Sequence, residues 1–191
     1  MGDVRQIEFR IIAGELKGRK ITAPDLGITR PPLTRLRRSI FDYLNPWLER
    51  ADYLDLFSGT GSYLFEAVSR GVRHAVGVET EPLLAESINA QAERLGVGDR
   101  LACLEADVFA AIPDLSARGQ HFDIVMIAPP QYHGFVDETL KLLAAHDLLK
   151  PDGQIICQHD TSETATIDRG AFHLAQRRKY GNTTFTILRP A

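Results

Sequence analysis

The chain has 191 residues, of which 44% are hydrophobic, and a formal net charge of −3 at pH 7. This length and apolar content suit one α/β domain with a full core and a short appendage. No apolar run reaches the length of a membrane span, and the polar first six residues lack the apolar core of a signal peptide, so we expect a soluble cytoplasmic protein. Cys103 and Cys157 lie in apolar surroundings without further ligands at metal-binding spacing. We therefore expect reduced core cysteines and no metal site.

Charge is distributed unevenly along the chain. Residues 1–38 contain nine arginine or lysine residues and four acids, a local balance of +5 in a chain that is negative overall. A basic segment attached to an acidic body indicates a polyanionic partner, although a solvated basic hairpin would explain the charge equally well.

The first segment, residues 8–24, alternates weakly and carries glycines near its turns, which predicts a small β-hairpin. Residues 27–32 are typical of a turn-rich connection. A helix is predicted from Thr34, with one apolar face and with Arg35, Arg37 and Arg38 crowded into its first turn. Cations there oppose the helix dipole, so this placement favours a functional role for the three arginines.

Strands and helices alternate after residue 51. The pattern predicts strands at 53–57, 74–79, 101–105, 122–127, 155–157, 172–180 and 183–188, and helices at 63–70, 82–95 and 135–148. Such alternation indicates a mostly parallel sheet with helices on both faces, and with a ligand at the carboxyl ends of its strands.

The junction of the first strand with its helix carries the clearest motif, Asp55-Leu-Phe-Ser-Gly-Thr-Gly. Gly59 and Gly61 allow a sharp turn and a close approach of the backbone to a ligand. A dinucleotide-binding loop would have a third glycine for the pyrophosphate, where this chain has Leu64. The loop instead fits the D-x-F-x-G-x-G pattern of S-adenosylmethionine sites. We expect it to bind that cofactor through Asp55, Phe57, Ser58, Gly59 and Gly61.

Two further acids follow neighbouring predicted strands. Glu79 ends the second strand at the distance where an acid accepts from ribose hydroxyls, and Asp107 follows the third strand, where it could accept from the adenine amino group. Either acid alone could be a helix N-cap or a surface residue. Three acids at the ends of three successive strands favour a cofactor site.

With these features, the chain resembles the RsmD-type family of bacterial 16S ribosomal RNA guanine-N2 methyltransferases along nearly its whole length. The matching segments are 10–20, 30–41, 55–61, 66–71 and 179–183. The resemblance implies a Rossmann-like class I methyltransferase fold with a seven-stranded sheet and an N-terminal hairpin extension. It also implies methyl transfer from S-adenosylmethionine to the exocyclic amine of a guanine in small-subunit rRNA. We expect a basic RNA-binding arm at 1–33 and a methyltransferase domain at 34–191.

The catalytic motif departs from the family pattern. The family has Asp-Pro-Pro-Tyr after the fourth strand, whereas this chain has Ala128-Pro129-Pro130-Gln131-Tyr132. An exocyclic amine is a poor nucleophile, and the usual acid accepts a hydrogen bond from it; Ala128 supplies no such acceptor. Three interpretations are open. The proline-flanked carbonyls and the Gln131 amide suffice while Tyr132 stacks on a flipped base, or the target atom differs, or the chain binds RNA or cofactor without transfer.

The RNA interface follows from charge and resemblance together. Phosphate contacts are predicted for eight basic residues: Arg10, Lys17, Arg19, Lys20, Arg30, Arg35, Arg37 and Arg38. The expected partner is 16S rRNA or a partly assembled small subunit. We expect the protein to be a monomer and to have no membrane partner. Methylation of another RNA, DNA or protein target, and a catalytically silent assembly factor, remain alternatives.

Overall fold

A computed structural model describes residues 5–27, 34–165 and 169–190. Arg30 and most of the predicted connection at 27–32 lie outside the described residues. Five α-helices are present in the described part: α1 (Thr34–Leu48), α2 (Ser62–Ser69), α3 (Pro82–Arg94), α4 (Val108–Ala117) and α5 (Phe135–Ala145). A short 3₁₀ helix covers Thr161–Ala165. The strands in the described part of the chain are β1 (Gln6–Arg10), β2 (Lys20–Pro24), β3 (Asp52–Asp55), β4 (His74–Glu79), β5 (Leu101–Glu105), β6 (Phe122–Ile127), β7 (Leu149–Asp160), β8 (Phe172–Tyr180) and β9 (Thr183–Pro190).

Seven strands form one sheet in the order β5-β4-β3-β6-β7-β9-β8. The first five run parallel, and β9 lies antiparallel between β7 and β8. Strands β1 and β2 form a separate antiparallel hairpin. The predicted seven-stranded, mostly parallel sheet and the N-terminal hairpin extension are therefore confirmed. No helix in the described ranges is long and apolar enough to cross a membrane.

Alternating side chains of the sheet build two apolar layers. Met126 of β6 packs with α1, α2 and α3 on one face, whereas its neighbour Ile127 packs with α4 and α5 on the other. This alternation is the two-residue period of a strand covered on both faces. Cys103 and Cys157 are buried and free, as expected from their apolar surroundings.

The hairpin packs closely against α2. Glu66 is fully buried and accepts hydrogen bonds from the backbone N–H groups of Ile12 (2.9 Å) and Ala13 (3.1 Å). Ser69 Oγ accepts from the Leu16 N–H at 2.9 Å. Gly14 has φ of +85°, and a Cβ atom there would lie 1.8 Å from the Ser69 carbonyl oxygen, so only glycine fits this contact.

Two elements differ from the sequence prediction. Helix α4 was not predicted; it contains Pro113 in its second turn, and Asp107 caps its first turn. Strand β7 is much longer than the predicted 155–157, since residues 151–153 are accommodated by an irregularity in its pairing with β6. The composition Pro151-Asp-Gly-Gln is that of a turn, so the sequence predicts this strand only from residue 155.

Candidate active site

The glycine loop between β3 and α2 has a tightly fixed backbone. Gly59 and Gly61 have φ of 53° and 78°, in the left-handed region that favours glycine. The Ser58 hydroxyl donates to the Asp55 carbonyl at 3.1 Å, and the Ser58 N–H donates to the Val78 carbonyl at 3.0 Å. A Cβ atom on Gly61 would lie 2.8 Å from Ile88 Cγ1, so α3 packs directly beneath the loop.

Asp55 is buried in this loop with an unsatisfied oxygen. Its side chain is 1% exposed; Oδ1 accepts from the Phe57 N–H at 3.3 Å, and Oδ2 has no hydrogen-bond partner in the described part of the chain. Burial, together with the charge of Glu79, raises the pKa of Asp55 to about 7, against the lowering effect of the Phe57 N–H. Such an oxygen is suited to accept from a cationic donor of a ligand.

Glu79 and Asp107 lie at the ends of the next two strands. Glu79 accepts from the Gly59 N–H through Oε2 (2.7 Å) and from the Glu81 N–H through Oε1 (2.9 Å). Asp107 is exposed and caps α4 by accepting from the Phe109 N–H at 2.8 Å. Each carboxylate oxygen can accept a further bond, so these backbone contacts orient the two acids and leave capacity for ligand hydroxyl and amino groups.

An aromatic cluster adjoins the same loop. Phe57 stacks on Phe135 with ring centroids 6.1 Å apart, and Phe109 and His133 contact the same Phe135 ring at 6.1 and 5.4 Å. Phe57 was identified from the sequence, whereas Phe109, His133 and Phe135 were missed as its neighbours. Only the fold brings α4 and the start of α5 together beside the loop.

The motif segment 128–132 follows β6 at the same edge of the sheet. Pro129, Pro130, Gln131 and Tyr132 line a cavity of about 250 Å³, together with residues of α5, β7 and the 3₁₀ helix. Ala128 is partly buried against the α1–α2 face of the core. The structure thus brings four of the five predicted motif residues to a cavity that can accept a ligand, and places Ala128 against the core behind them.

Tyr132 adopts an uncommon conformation within this segment. Its φ is 65°, and the residue is 66% exposed, so it is not a core packing residue. Glu163 accepts from its backbone N–H at 3.3 Å, and a hydrogen bond to Asp160 raises the pKa of its hydroxyl. The ring is therefore held at the surface of the cavity, where it can stack on a planar ligand.

Gln158 and Tyr63 complete the site and were missed in the sequence. Gln158 lies near the end of β7 and lines the cavity, and the hydroxyl of buried Tyr63 donates a hydrogen bond to its Oε1. Tyr63 stands in the first turn of α2, directly after the glycine loop. The rule that ligands bind at carboxyl ends of parallel strands could have identified Gln158, but its pairing with Tyr63 has no local sequence signal.

A basic groove lies between the hairpin and the start of α1. It has a volume of about 540 Å³, and four predicted RNA-binding residues line it: Arg10, Lys17, Lys20 and Arg38. Arg19 and Arg35 are also exposed, but they do not line it. Lys20 is paired with Glu8 at 2.8 Å, whereas Lys17 and Arg38 form no ion pair with any described acid. The groove is a candidate polyanion site.

Arg37 departs from the prediction. It is 1% exposed, its guanidinium donates to the Arg10 carbonyl at 2.5 Å and lies 3.8 Å from Glu66, and it stacks over the Phe9 ring. Burial lowers the pKa of Arg37, against the opposing effect of the Glu66 carboxylate. A side chain enclosed in this way fastens α1 to the hairpin and is not available to a phosphate.

A second basic surface was not predicted from the sequence. Residues 169–190, which contain β8 and β9, carry five arginine or lysine residues and no acid. The guanidinium of Arg178 lies over Tyr43 at 5.1 Å, and that of Arg189 lies over the exposed ring of Trp47 at 6.0 Å. These cation–π pairs join β8 and β9 to α1.

Three features define the class I methyltransferase fold: the strand order, the two loop glycines with left-handed φ, and the acids at successive strand ends. The chain is a methyltransferase. Residues 9–189 match the family described as Conserved hypothetical protein 95. The chain belongs to this RsmD-type family, which confirms the resemblance found in the sequence.

Three similar proteins illustrate the relationship. The Escherichia coli K12 protein named Ribosomal RNA small subunit methyltransferase D is 30% identical over 154 residues, which cover 80% of this chain and 75% of the relative. The structure of a hypothetical protein of Thermus thermophilus is 29% identical, with a TM-score of 0.80 and coverage of 95% of this chain and 99% of that one. The T. thermophilus 16S rRNA N2 G1207 methyltransferase, solved with AdoMet and guanosine, is 20% identical, with a TM-score of 0.73. Its match covers 100% of this chain and 52% of that one, and shows a shared fold.

Proposed function

We propose that this protein transfers a methyl group from S-adenosylmethionine to the exocyclic N2 amine of a guanine in 16S rRNA. Family membership and the name of the E. coli relative support a ribosomal RNA target. The T. thermophilus structure of the same fold, which acts on a guanine N2 and was solved with AdoMet and guanosine, supports the cofactor and the target atom.

The observation that carries the cofactor assignment is the buried, unpartnered Oδ2 of Asp55. The ammonium group of the methionine moiety would donate to this oxygen, so that the ligand satisfies an atom that the protein leaves without a partner. Glu79 would accept from the ribose hydroxyls, and Asp107 from the adenine amino group. When bound, this cofactor supplies an electrophilic methyl group on a sulfonium sulfur.

The cavity beside residues 128–132 would receive the base. Pro129 and Pro130 fix the backbone, so their neighbouring carbonyls can accept from the amine, while the exposed ring of Tyr132 stacks on the base. A guanine must leave its stack to reach this cavity. Substrate recognition therefore depends on an unpaired or readily flipped nucleotide.

The basic groove between the hairpin and α1 would hold the RNA backbone. Lys17 and Arg38 have no acidic partner in the described part and are free to contact phosphates. The basic residues of β8 and β9, which pack against α1, would add to this contact. Such contacts supply affinity and salt dependence, and the fold of the rRNA or of an assembly intermediate supplies the choice of nucleotide.

Methyl transfer from radiolabelled S-adenosylmethionine to small subunits that lack the guanine modification tests the proposal. We expect incorporation as N2-methylguanine in the wild type and its loss in Asp55→Ala. The matched control Asp114→Ala removes an exposed acid of α4 that pairs with Arg118, and it should keep the wild-type rate. Incorporation at another atom, or transfer only to a protein, would refute the proposed target.

A further inference from the structure

We propose that Gln158 supplies the hydrogen-bond acceptor that the motif lacks at Ala128, and that Tyr63 positions it. This inference rests on the proposed function and names the residue that makes the target amine reactive in this chain.

The sheet register places Gln158 beside Ala128. Strands β6 and β7 are parallel, and their last paired residues are Ile127 and Cys157, so Ala128 and Gln158 are the next neighbours along the two strands. Met126 and Ile156 point to the α1–α2 face, and Ile127 and Cys157 to the opposite face. By the two-residue period, Ala128 and Gln158 point back to the α1–α2 face. Ala128 packs there, and Tyr63 belongs to the same layer.

Tyr63 fixes the orientation of the Gln158 amide. Its ring is buried and packs on Phe41 with centroids 5.8 Å apart, and its hydroxyl donates to Gln158 Oε1. Burial and the nearby charge of Asp55 raise the pKa of this hydroxyl far above neutrality, against the opposing effect of Arg37, so it stays a donor. A carbonyl oxygen has two lone pairs, and Oε1 therefore retains one for a second donor.

Methyl transfer to the amine requires a hydrogen-bond acceptor but no side-chain base. The amine nitrogen forms a bond to the methyl carbon as the carbon–sulfur bond breaks and the electron pair stays on sulfur. Positive charge then develops on the amine, whose N–H groups become stronger donors, and one proton finally leaves to water. An oriented amide oxygen stabilises that developing charge, as the carboxylate of the family motif does more strongly.

Gln131 is the competing acceptor within the motif. Its side chain is exposed, and no hydrogen bond holds it within the described ranges. Fixing such a side chain on a substrate costs more conformational entropy than using Gln158, which Tyr63 already holds. Glu163 also lines the cavity and holds the segment in place by accepting from the backbone N–H groups of Tyr132 and Asp160, but it lies on the 3₁₀ helix, beyond the strand register that places Gln158 beside Ala128.

The test compares single-turnover methyl transfer and RNA affinity in three variants: Gln158→Ala, the competing-acceptor variant Gln131→Ala, and the matched control Gln120→Ala, which removes an exposed glutamine between α4 and β6. We expect Gln158→Ala to lower the transfer rate by about 10- to 100-fold while RNA and cofactor affinities change by less than about threefold. Gln120→Ala should keep the wild-type rate, and Gln131→Ala should lower the rate less than Gln158→Ala does. Adding Ala128→Asp to Gln158→Ala should recover most of the lost rate, because it returns an acceptor to the same place.

Tyr63→Phe tests the positioning role separately. It should lower the transfer rate in the wild-type background, but have little further effect in Gln158→Ala, since the oxygen that it orients is then absent. Additive effects of the two changes would overturn the role of Tyr63.

The failures of the two proposals can be told apart. An active wild type with an unchanged Gln158→Ala rate, or a rate that falls only in Gln131→Ala, overturns the acceptor role of Gln158 and leaves the proposed function intact. The acceptor role is overturned in the same way if Ala128→Asp restores nothing to a Gln158→Ala variant that melts like the wild type. A wild type that methylates no guanine in rRNA overturns both proposals.

Discussion

Replacing Asp55 with asparagine should stabilise the ligand-free protein, and more so at high pH. The pKa of Asp55 is raised from 3.8 to about 7, chiefly by burial, so the native state holds this proton over a pH range in which the unfolded chain has released it. The sign follows by linkage: the folded state binds more protons between these two pKa values, and its stability falls as the pH rises through that window. Asparagine removes the charge and keeps an oxygen for the Phe57 N–H.

The size of the effect follows from the two pKa values. A shift from 3.8 to about 7 corresponds to a destabilisation of about 4 kcal/mol once the carboxylate is fully ionised. Part of it is already present at pH 5.5, so the free energy of unfolding of Asp55→Asn should exceed that of the wild type by about 2 kcal/mol more at pH 8.5 than at pH 5.5.

Asp52 provides a control of opposite sign. Partial burial alone would raise its pKa, but its hydrogen bonds with Arg73 and Lys150 outweigh this and lower the pKa to about 2. Asp52→Asn should therefore destabilise the protein by about 1 to 2 kcal/mol, equally at pH 5.5 and pH 8.5, because both values lie above the folded and unfolded pKa.

Urea denaturation of the three proteins at the two pH values, with calorimetric titration of S-adenosylmethionine, measures these effects. The cofactor should protect the wild type and fail to protect Asp55→Asn, since the carboxylate that binds its ammonium group is gone. If the free energies of unfolding of wild type and Asp55→Asn differ by the same amount at both pH values, the pKa of Asp55 is not raised by burial. If Asp55→Asn binds S-adenosylmethionine as tightly as the wild type, the Asp55 carboxylate is not the partner of the ammonium group.

Two further predictions concern the hairpin and the basic groove. In urea denaturation, Gly14→Ala should destabilise the protein by at least about 2 kcal/mol more than Gly18→Ala. Both glycines have positive φ, but only Gly14 lies against Ser69. Equal losses of stability would show that the contact with α2 is unimportant. Arg38→Ala should reduce the slope of log affinity for rRNA against log salt concentration by about 0.7 to 0.9. Arg118→Ala, which removes an exposed cation at the end of α4, should leave that slope unchanged, and a uniform effect of both changes would argue against a specific groove.

The cofactor loop could be predicted from the sequence because its signal is local. Asp55, Gly59 and Gly61 lie within seven residues, and the turn that they form needs glycine at fixed positions whatever surrounds it. Glu79 was also accessible, since an acid after the second strand of such a sheet returns to the same edge. Strand alternation in the central sheet was equally visible, because buried parallel strands are short apolar runs.

Other features depend on contacts between distant segments. Arg37 looks like its neighbours Arg35 and Arg38 in the sequence, but it alone faces Glu66, 29 positions away along the chain, and is enclosed by Phe9. Helical periodicity does place Arg37 next to the apolar face of α1, beside Ile40, Phe41 and Leu44. An ion pair buried by a separate hairpin has no signature within the helix itself, so charge counting overestimated the exposed cations.

The motif at Ala128 shows the same limit for catalysis. In the sequence, the loss of the acid leaves activity unexplained, because the nearest side-chain acceptor along the chain is Gln131, which is exposed and unrestrained. In the sheet, the neighbour of Ala128 is instead Gln158, 30 positions further along the chain and oriented by Tyr63 from α2. A hydrogen-bond acceptor has to lie close to the target amine, but it can be supplied by either strand. The ends of β6 and β7 are adjacent at one edge of the sheet and offer two such positions, at Ala128 and Gln158. A substitution on β6 can therefore be compensated on β7 without any change in the glycine loop or in the proline pair.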